Sequence, residues 1–190
     1  MGGIGAPTAR TMLPMTEANT RSLHDPIRQA TTVRSGREHA FEVFVRRIGD
    51  WWPTETHSLG QEKVVAVHFE EELGGRVYET WGDGHQREWG RVITWEPPER
   101  FAITWQTLSQ TTEVELRFRE LAPALTRVEV EHRGWERLPA EEVIAWTTPP
   151  SGYSEGWRLI LARFEKAATE SATEVATEVA TESAIESATE

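Results

Sequence analysis

Two residues join acid–base capability to a strand position that could aim them at an interior. His132 follows Val128 and Val130 at two-residue spacing, the period that returns strand side chains to one face. An imidazole there is expected to turn inward, either as a hydrogen-bonded strand-end histidine or as a polar contact for a ligand. Glu79 alternates with Val77 and Trp81. Facing inward, it would need a partner or a raised pKa and would be a candidate general acid or base; facing outward, it would be a solvated charge. Arg91 lies in phase with Trp89, Ile93 and Trp95 and could pair with an inward carboxylate. All nine tryptophans fall between Trp51 and Trp157, a density that marks a large core or an aromatic-lined pocket. Trp89 and Trp157 are candidates for either role, and Trp51 and Trp52 either close one end of a cavity or anchor the preceding helix.

Other chemistry is poorly supported. With no cysteine, disulfides, thiolate nucleophiles and cysteine-bound zinc are excluded. The six histidines are dispersed, with no pair at zinc-ligand spacing. His57 and Ser58 are adjacent, but chain neighbours do not make a triad. Neither a P-loop nor a dinucleotide glycine fingerprint is present, so no cofactor is expected.

The elements needed to position these residues are legible. Ile27 to Arg34, rich in Thr and Val, predicts a strand. Ser35 with Glu38 three residues on forms a capping-box pattern, heading a helix to about Arg47 with Ala40, Phe41, Phe44 and Ile48 as its apolar stripe. Gly49-Asp50 stops it. Strands are expected at Lys63–Glu70, Arg76–Trp81, about Arg87–Trp95 and Arg100–Gln106, with a hairpin at Gly82-Asp83-Gly84 and a turn at Pro97-Pro98. Thr112–Glu120 and Thr126–Arg133 alternate apolar and charged residues cleanly, as half-buried antiparallel strands do. Ser154 to about Ala168 predicts a helix with Trp157, Ile160, Leu161 and Phe164 on one stripe. A curved sheet with one apolar face needs a cover, and this terminal helix is the obvious one.

The chain has 190 residues and a formal net charge of −11. That balance argues against a nucleic-acid partner, which requires a clustered basic surface. No apolar run approaches membrane-spanning length, and residues 1–25 hold no continuous apolar core, so a flexible leader rather than a secretory signal is expected there, with the cytoplasm as default address. Residues 26–168 form the folded unit, carrying a charge of −5. Residues 169–190 hold six glutamates and no Lys or Arg in a four-residue repeat. They predict a frayed helical extension or a disordered tail, the alternative being a partner-binding helix. The 18 Arg against two Lys reflect coding composition.

This order of elements, with Gly49-Asp50-Trp51-Trp52-Pro53, Gly74-Gly75-Arg76-Val77-Tyr78-Glu79, Trp89-Gly90-Arg91-Val92 continuing to Trp95-Glu96-Pro97-Pro98, Glu129 to Gly134, and Gly156-Trp157, resembles the START-like superfamily, also called SRPBCC or Bet v 1-like. Within it the chain is similar to the small bacterial proteins named after the activator of heat-shock protein 90 ATPase. The resemblance spans about residues 27 to 167 and implies an α+β helix-grip fold, a curved antiparallel sheet wrapped around a long C-terminal helix. The connection between Gln106 and Thr111 is short where relatives carry a longer loop, which would change one rim of the pocket. The eukaryotic co-chaperone carries a second domain, for which this length is expected to leave no room.

Fold does not fix function, and three readings follow. The first is a small hydrophobic or aromatic ligand held between sheet and helix by Trp51, Trp52, Glu79, Trp89, Arg91, His132 and Trp157. The second is a polyketide cyclase/dehydratase-like enzyme using Glu79 and His132 as acid and base. The third is a chaperone-associated module contacting a protein partner through the acidic tail. A homodimer is left open.

Overall fold

The computed structural model describes residues 24–148 and 152–187, with side chains described as far as residue 181; the expected leader lies almost wholly outside them. Seven strands, β1 (Ile27–Val33), β2 (Val64–Phe69), β3 (Arg76–Trp81), β4 (Gln86–Glu96), β5 (Arg100–Trp105), β6 (Thr112–Ala122) and β7 (Leu125–Arg133), form one antiparallel sheet in the order β1-β7-β6-β5-β4-β3-β2. Strands β2 to β7 run as a meander. Strand β1 lies along the far side of β7, with Ile27 opposite His132 and Val33 opposite Thr126.

Helix α1 (Arg37–Arg46) buries Phe41 and Phe44 against Phe101 and Phe118 of the sheet. It starts one residue later than the capping box predicts. Gly36 is the N-cap and no side chain caps the turn. Ser35 is buried, and its carbonyl accepts a hydrogen bond from Thr126 Oγ1 at 2.8 Å. The tertiary contact therefore fixes Ser35 in the strand-to-helix corner and leaves Glu38 exposed. Two one-turn helices follow, α2 (Ile48–Trp51) and α3 (Thr54–His57).

Strand β4 departs from simple alternation. Its register against β3 skips Trp89, and against β5 it skips Ile93. Each such bulge inserts one residue and reverses the facing of those beyond it. Trp89 and Val92 are buried, whereas Arg91 and Ile93 are exposed. At Gly90, a Cβ would sit 1.7 Å from the Thr104 carbonyl oxygen. Only glycine allows this approach of β4 to β5.

After β7 the chain forms a short helix, α4 (Ala140–Thr147), which has no counterpart in the sequence expectation, and then α5 (Tyr153–Ser187). Helix α5 buries Trp157, Ile160, Leu161, Phe164 and Ala168 in the concave face of the sheet. It does not end near Ala168. Arg47 donates a hydrogen bond to the buried Ser171 hydroxyl at 2.7 Å, and the helix then projects beyond the body. Val175 and Val179 are exposed on this stretch. Its threonines 173, 177 and 181 each donate to the carbonyl four residues back. The stretch is helical as far as Ser187, as both a helical extension and a partner-binding helix require; alanine and glutamate favour it.

The sheet and α5 enclose an aromatic core rather than a wide cavity. A void of only about 10 Å³ remains among Phe44, Trp52, Phe101, Trp105 and Trp157, about the volume that one water centre occupies. Space for a ligand lies elsewhere.

Candidate functional site

A pocket of about 520 Å³ opens at the end of the sheet where α3, the loop after it, the β5–β6 connection and the start of α5 converge. Small-molecule sites commonly measure about 300–1,000 Å³. Its inner wall is made by Trp52, Trp89, Trp105 and Trp157, each no more than 6% exposed. These rings touch one another: Trp52 lies 4.9 Å from Trp89, 6.5 Å from Trp105 and 6.2 Å from Trp157, and Trp105 lies 5.5 Å from Trp157. Leu59, Trp146 and Leu159 complete the mouth and remain about 40% exposed.

Each wall indole is anchored by its N–H. Trp52 donates to the His57 carbonyl at 2.7 Å, so α3 is tied to the wall it flanks. Trp89 donates to Glu79 Oε2 at 2.8 Å. Trp157 donates to His132 Nδ1 at 3.2 Å, and Trp105 donates to the Tyr153 hydroxyl at 3.1 Å. Tryptophan has a donor and no acceptor, so every one of these bonds requires the partner's lone pair.

That requirement explains the two candidate acid–base residues. Glu79 points inward and is fully buried. Its carboxylate accepts from Trp89, from Trp81 Nε1 at 2.6 Å and from the Leu59 backbone N–H at 2.9 Å. It stands behind the wall, holding Trp89 and the rim loop in place. Gly60 lies directly under Trp81, where a Cβ would meet the indole nitrogen at 2.2 Å. His132 is also fully buried. Since Trp157 donates to Nδ1, the proton sits on Nε2, which donates to Thr112 Oγ1 at 2.7 Å. Burial pushes its pKa down to about 3, so the ring is neutral.

Of the residues singled out in the sequence, Trp52, Trp89 and Trp157 therefore line the pocket. Glu79 and His132 support it from behind. Trp51 belongs to the core, packed on Phe44 and Phe164 with its N–H on the Val43 carbonyl. Arg91 does not meet an inward carboxylate. The bulge at Trp89 turns it to the outer face, where it pairs with Glu88 at 3.0 Å.

Polar groups that do reach the pocket were not legible as a set. His57 pairs Nδ1 with Thr56 Oγ1 at 2.7 Å. Its pKa is lowered chiefly by burial and slightly by Arg163, against an opposing pull from Glu55. Tyr153 meets Thr107 Oγ1 at 2.8 Å, and burial raises its phenol pKa. Thr107 lies on the short β5–β6 connection, which indeed forms one rim, and Ser109 there binds Glu142 of α4 through both its backbone N–H and its hydroxyl. These residues sit on loops and helix ends, where no periodicity announces a facing. Only the tryptophan density, which includes Trp105 and Trp146, pointed toward them. Among the described residues no cluster of His, Asp and Glu could hold a metal ion, and no helix is long and apolar enough to cross a membrane.

Comparison with known proteins gives a consistent picture. Residues 36–169 match the family model described as Activator of Hsp90 ATPase homolog 1-like protein. Among solved structures, the anthrahydroquino-gamma-pyrone synthase Txn09 is 32% identical over 75% of this chain and 96% of its own, with a TM-score of 0.51. The self-sacrificing resistance protein CalC from Micromonospora echinospora is 23% identical over 79% of this chain and 97% of its own, with a TM-score of 0.58. A protein from the dynemicin biosynthetic locus, DynU16, is 18% identical, with 75% of this chain covering 46% of that one and a TM-score of 0.53. No curated protein matches the chain.

Proposed function

Because the chain belongs to the Activator of Hsp90 ATPase homolog 1-like family of the START-like superfamily, we propose that it binds a small, flat, apolar molecule in the pocket at the end of its sheet. The observation that carries this reading is the wall of four contacting indoles, each fixed by its own hydrogen bond. A wall fixed in this way presents aromatic faces without a large ordering cost on binding. The likeness to Txn09 supports a ring-containing ligand, and the filled interior favours the mouth over the space beneath α5 as its position.

Titrating tryptophan emission with a panel of two- to four-ring aromatic compounds tests this. At least one compound should give saturable, one-to-one quenching. Trp146→Ala, which trims the exposed mouth, should weaken that binding by about tenfold while leaving thermal stability nearly unchanged. A flat response across the whole panel to about 1 mM, corresponding to about −4 kcal/mol, would rule the pocket out as an aromatic site.

A second reading, catalysis on a bound polyketide-like compound, is favoured by the identity shared with a synthase. Its acid–base residues would be His57 and Tyr153, which reach the pocket. Glu79 and His132 are walled off from it by the indoles they hold.

A further inference from the structure

The pocket is lined largely by carbon; Thr56, His57, Ser58 and Glu155 bring polar groups to its α3 and α5 sides, and Trp105, Tyr153 and Thr107 form a compact hydrogen-bonded group at the β5–β6 rim. Counting hydrogens in this group defines what it lacks. Trp105 brings one N–H, Tyr153 one O–H and Thr107 one O–H. The Trp105 hydrogen is spent on the Tyr153 oxygen, and one hydroxyl hydrogen is spent between Tyr153 and Thr107. One hydroxyl hydrogen remains, and no other described residue bonds to either hydroxyl.

The chemistry decides which hydroxyl keeps it. When Thr107 donates to Tyr153, the phenol oxygen receives two hydrogen bonds, which polarise its own O–H and make it the stronger donor. In the opposite arrangement an aliphatic alcohol would be the free donor. The tyrosine ring is held on three sides, edge-on to His132 at 4.8 Å and against Trp135 and Trp146 at 5.5 and 5.7 Å. Such packing leaves the phenol little freedom to turn away from the pocket.

Resting on the reading of the pocket as an aromatic site, we propose that its ligand carries a ring carbonyl and that Tyr153, backed by Trp105 and Thr107, donates a hydrogen bond to that oxygen. The site then selects oxidised, carbonyl-bearing aromatics such as pyrones and quinones over hydrocarbon rings of the same shape. Tyr153 is the residue that sets this selection, and Thr107 positions it.

Chromone and 4H-chromene differ only by the ring carbonyl and serve as the probe pair. Their affinities are measured by calorimetry on the full chain and on Tyr153→Phe and Thr107→Val. The wild type should bind chromone about tenfold more tightly, the worth of one good hydrogen bond. Tyr153→Phe should bring the two affinities within about twofold of each other without weakening 4H-chromene, which also shows that the variant is folded. Thr107→Val should keep most of the preference, because Tyr153 still has its hydrogen to give. Equal binding of both compounds by the wild type, or a preference that survives Tyr153→Phe, would overturn the carbonyl assignment while leaving the aromatic site intact. Collapse of the preference in Thr107→Val but not in Tyr153→Phe would assign the donor to Thr107 instead. Binding of neither compound by the wild type would overturn this inference, and together with a flat response across the aromatic panel it would overturn the pocket reading as well.

Discussion

His132 shows how a titratable side chain can be committed to structure. Its folded pKa of about 3 lies below the ordinary value of 6.5 because the charged ring would be buried. Between those values the unfolded chain takes up a proton that the folded protein refuses. Unfolding is therefore favoured as pH falls, and the contribution of His132 is complete above pH 6.5 and lost progressively toward pH 3. The slope is on the order of 1 kcal/mol per pH unit. Urea midpoints measured from pH 7 to pH 5 should fall with acidification in the wild type and fall less steeply in His132→Gln. That window avoids the surface carboxylates Glu70, Glu96 and Glu113, which are held below their usual range by arginines and titrate lower. His57 adds a smaller effect of the same sign. Two-residue spacing sufficed to orient His132. For Glu79 it left both facings open, since the indole donors that decide the matter come from Trp81 two residues away and Trp89 ten residues away.

Strands β6 and β7 were legible because apolar and charged residues alternate along them, with Val114, Leu116, Phe118, Val128 and Val130 buried. Glu115 on the charged face is buried too, and β6 is exposed from Arg119 onward. Strand β4 was legible as a strand but not in its facing. Its two bulges arise from pairing with neighbours on both sides, and no local pattern encodes them. Helix α4 leaves no apolar stripe in the sequence, because only Val143 of its eight residues is buried. The docked part of α5 is likewise set by contacts: Ala168 and Ser171 are buried, and Thr169 accepts from the Arg34 backbone N–H at 3.4 Å. Truncation after Glu174 should consequently shift the melting temperature by no more than about 1 °C. Truncation after Ala167 removes the buried alanine and both hydrogen-bonding hydroxyls, and should lower it by about 5 °C or more. Equal melting temperatures for the two truncations would show that residues 168–174 add nothing to the body.

For the molecule as a whole, the family's architecture was readable from glycine- and tryptophan-centred motifs, while the location of its open space was not. Whether a sheet grips its helix around a hollow or around rings depends on how side-chain volumes sum in three dimensions. Here Phe44, Phe101, Trp52, Trp105 and Trp157 occupy the grip, and the room is displaced to one end. The four wall indoles have centroid separations of 4.9 to 6.5 Å where they touch. At such spacing an excited indole passes its energy to a neighbour faster than it emits. The wall is in effect a single antenna: light absorbed by any member is emitted from whichever lies lowest in energy, and the memory of its polarisation is lost on the way. Emission anisotropy should be low at the absorption maximum, even though the rings are rigidly held, and should recover on red-edge excitation, where transfer between like chromophores fails. A high anisotropy at both wavelengths would mean that the rings do not stand together as described. An antenna of this kind also turns a contact with one ring into a signal from all of them.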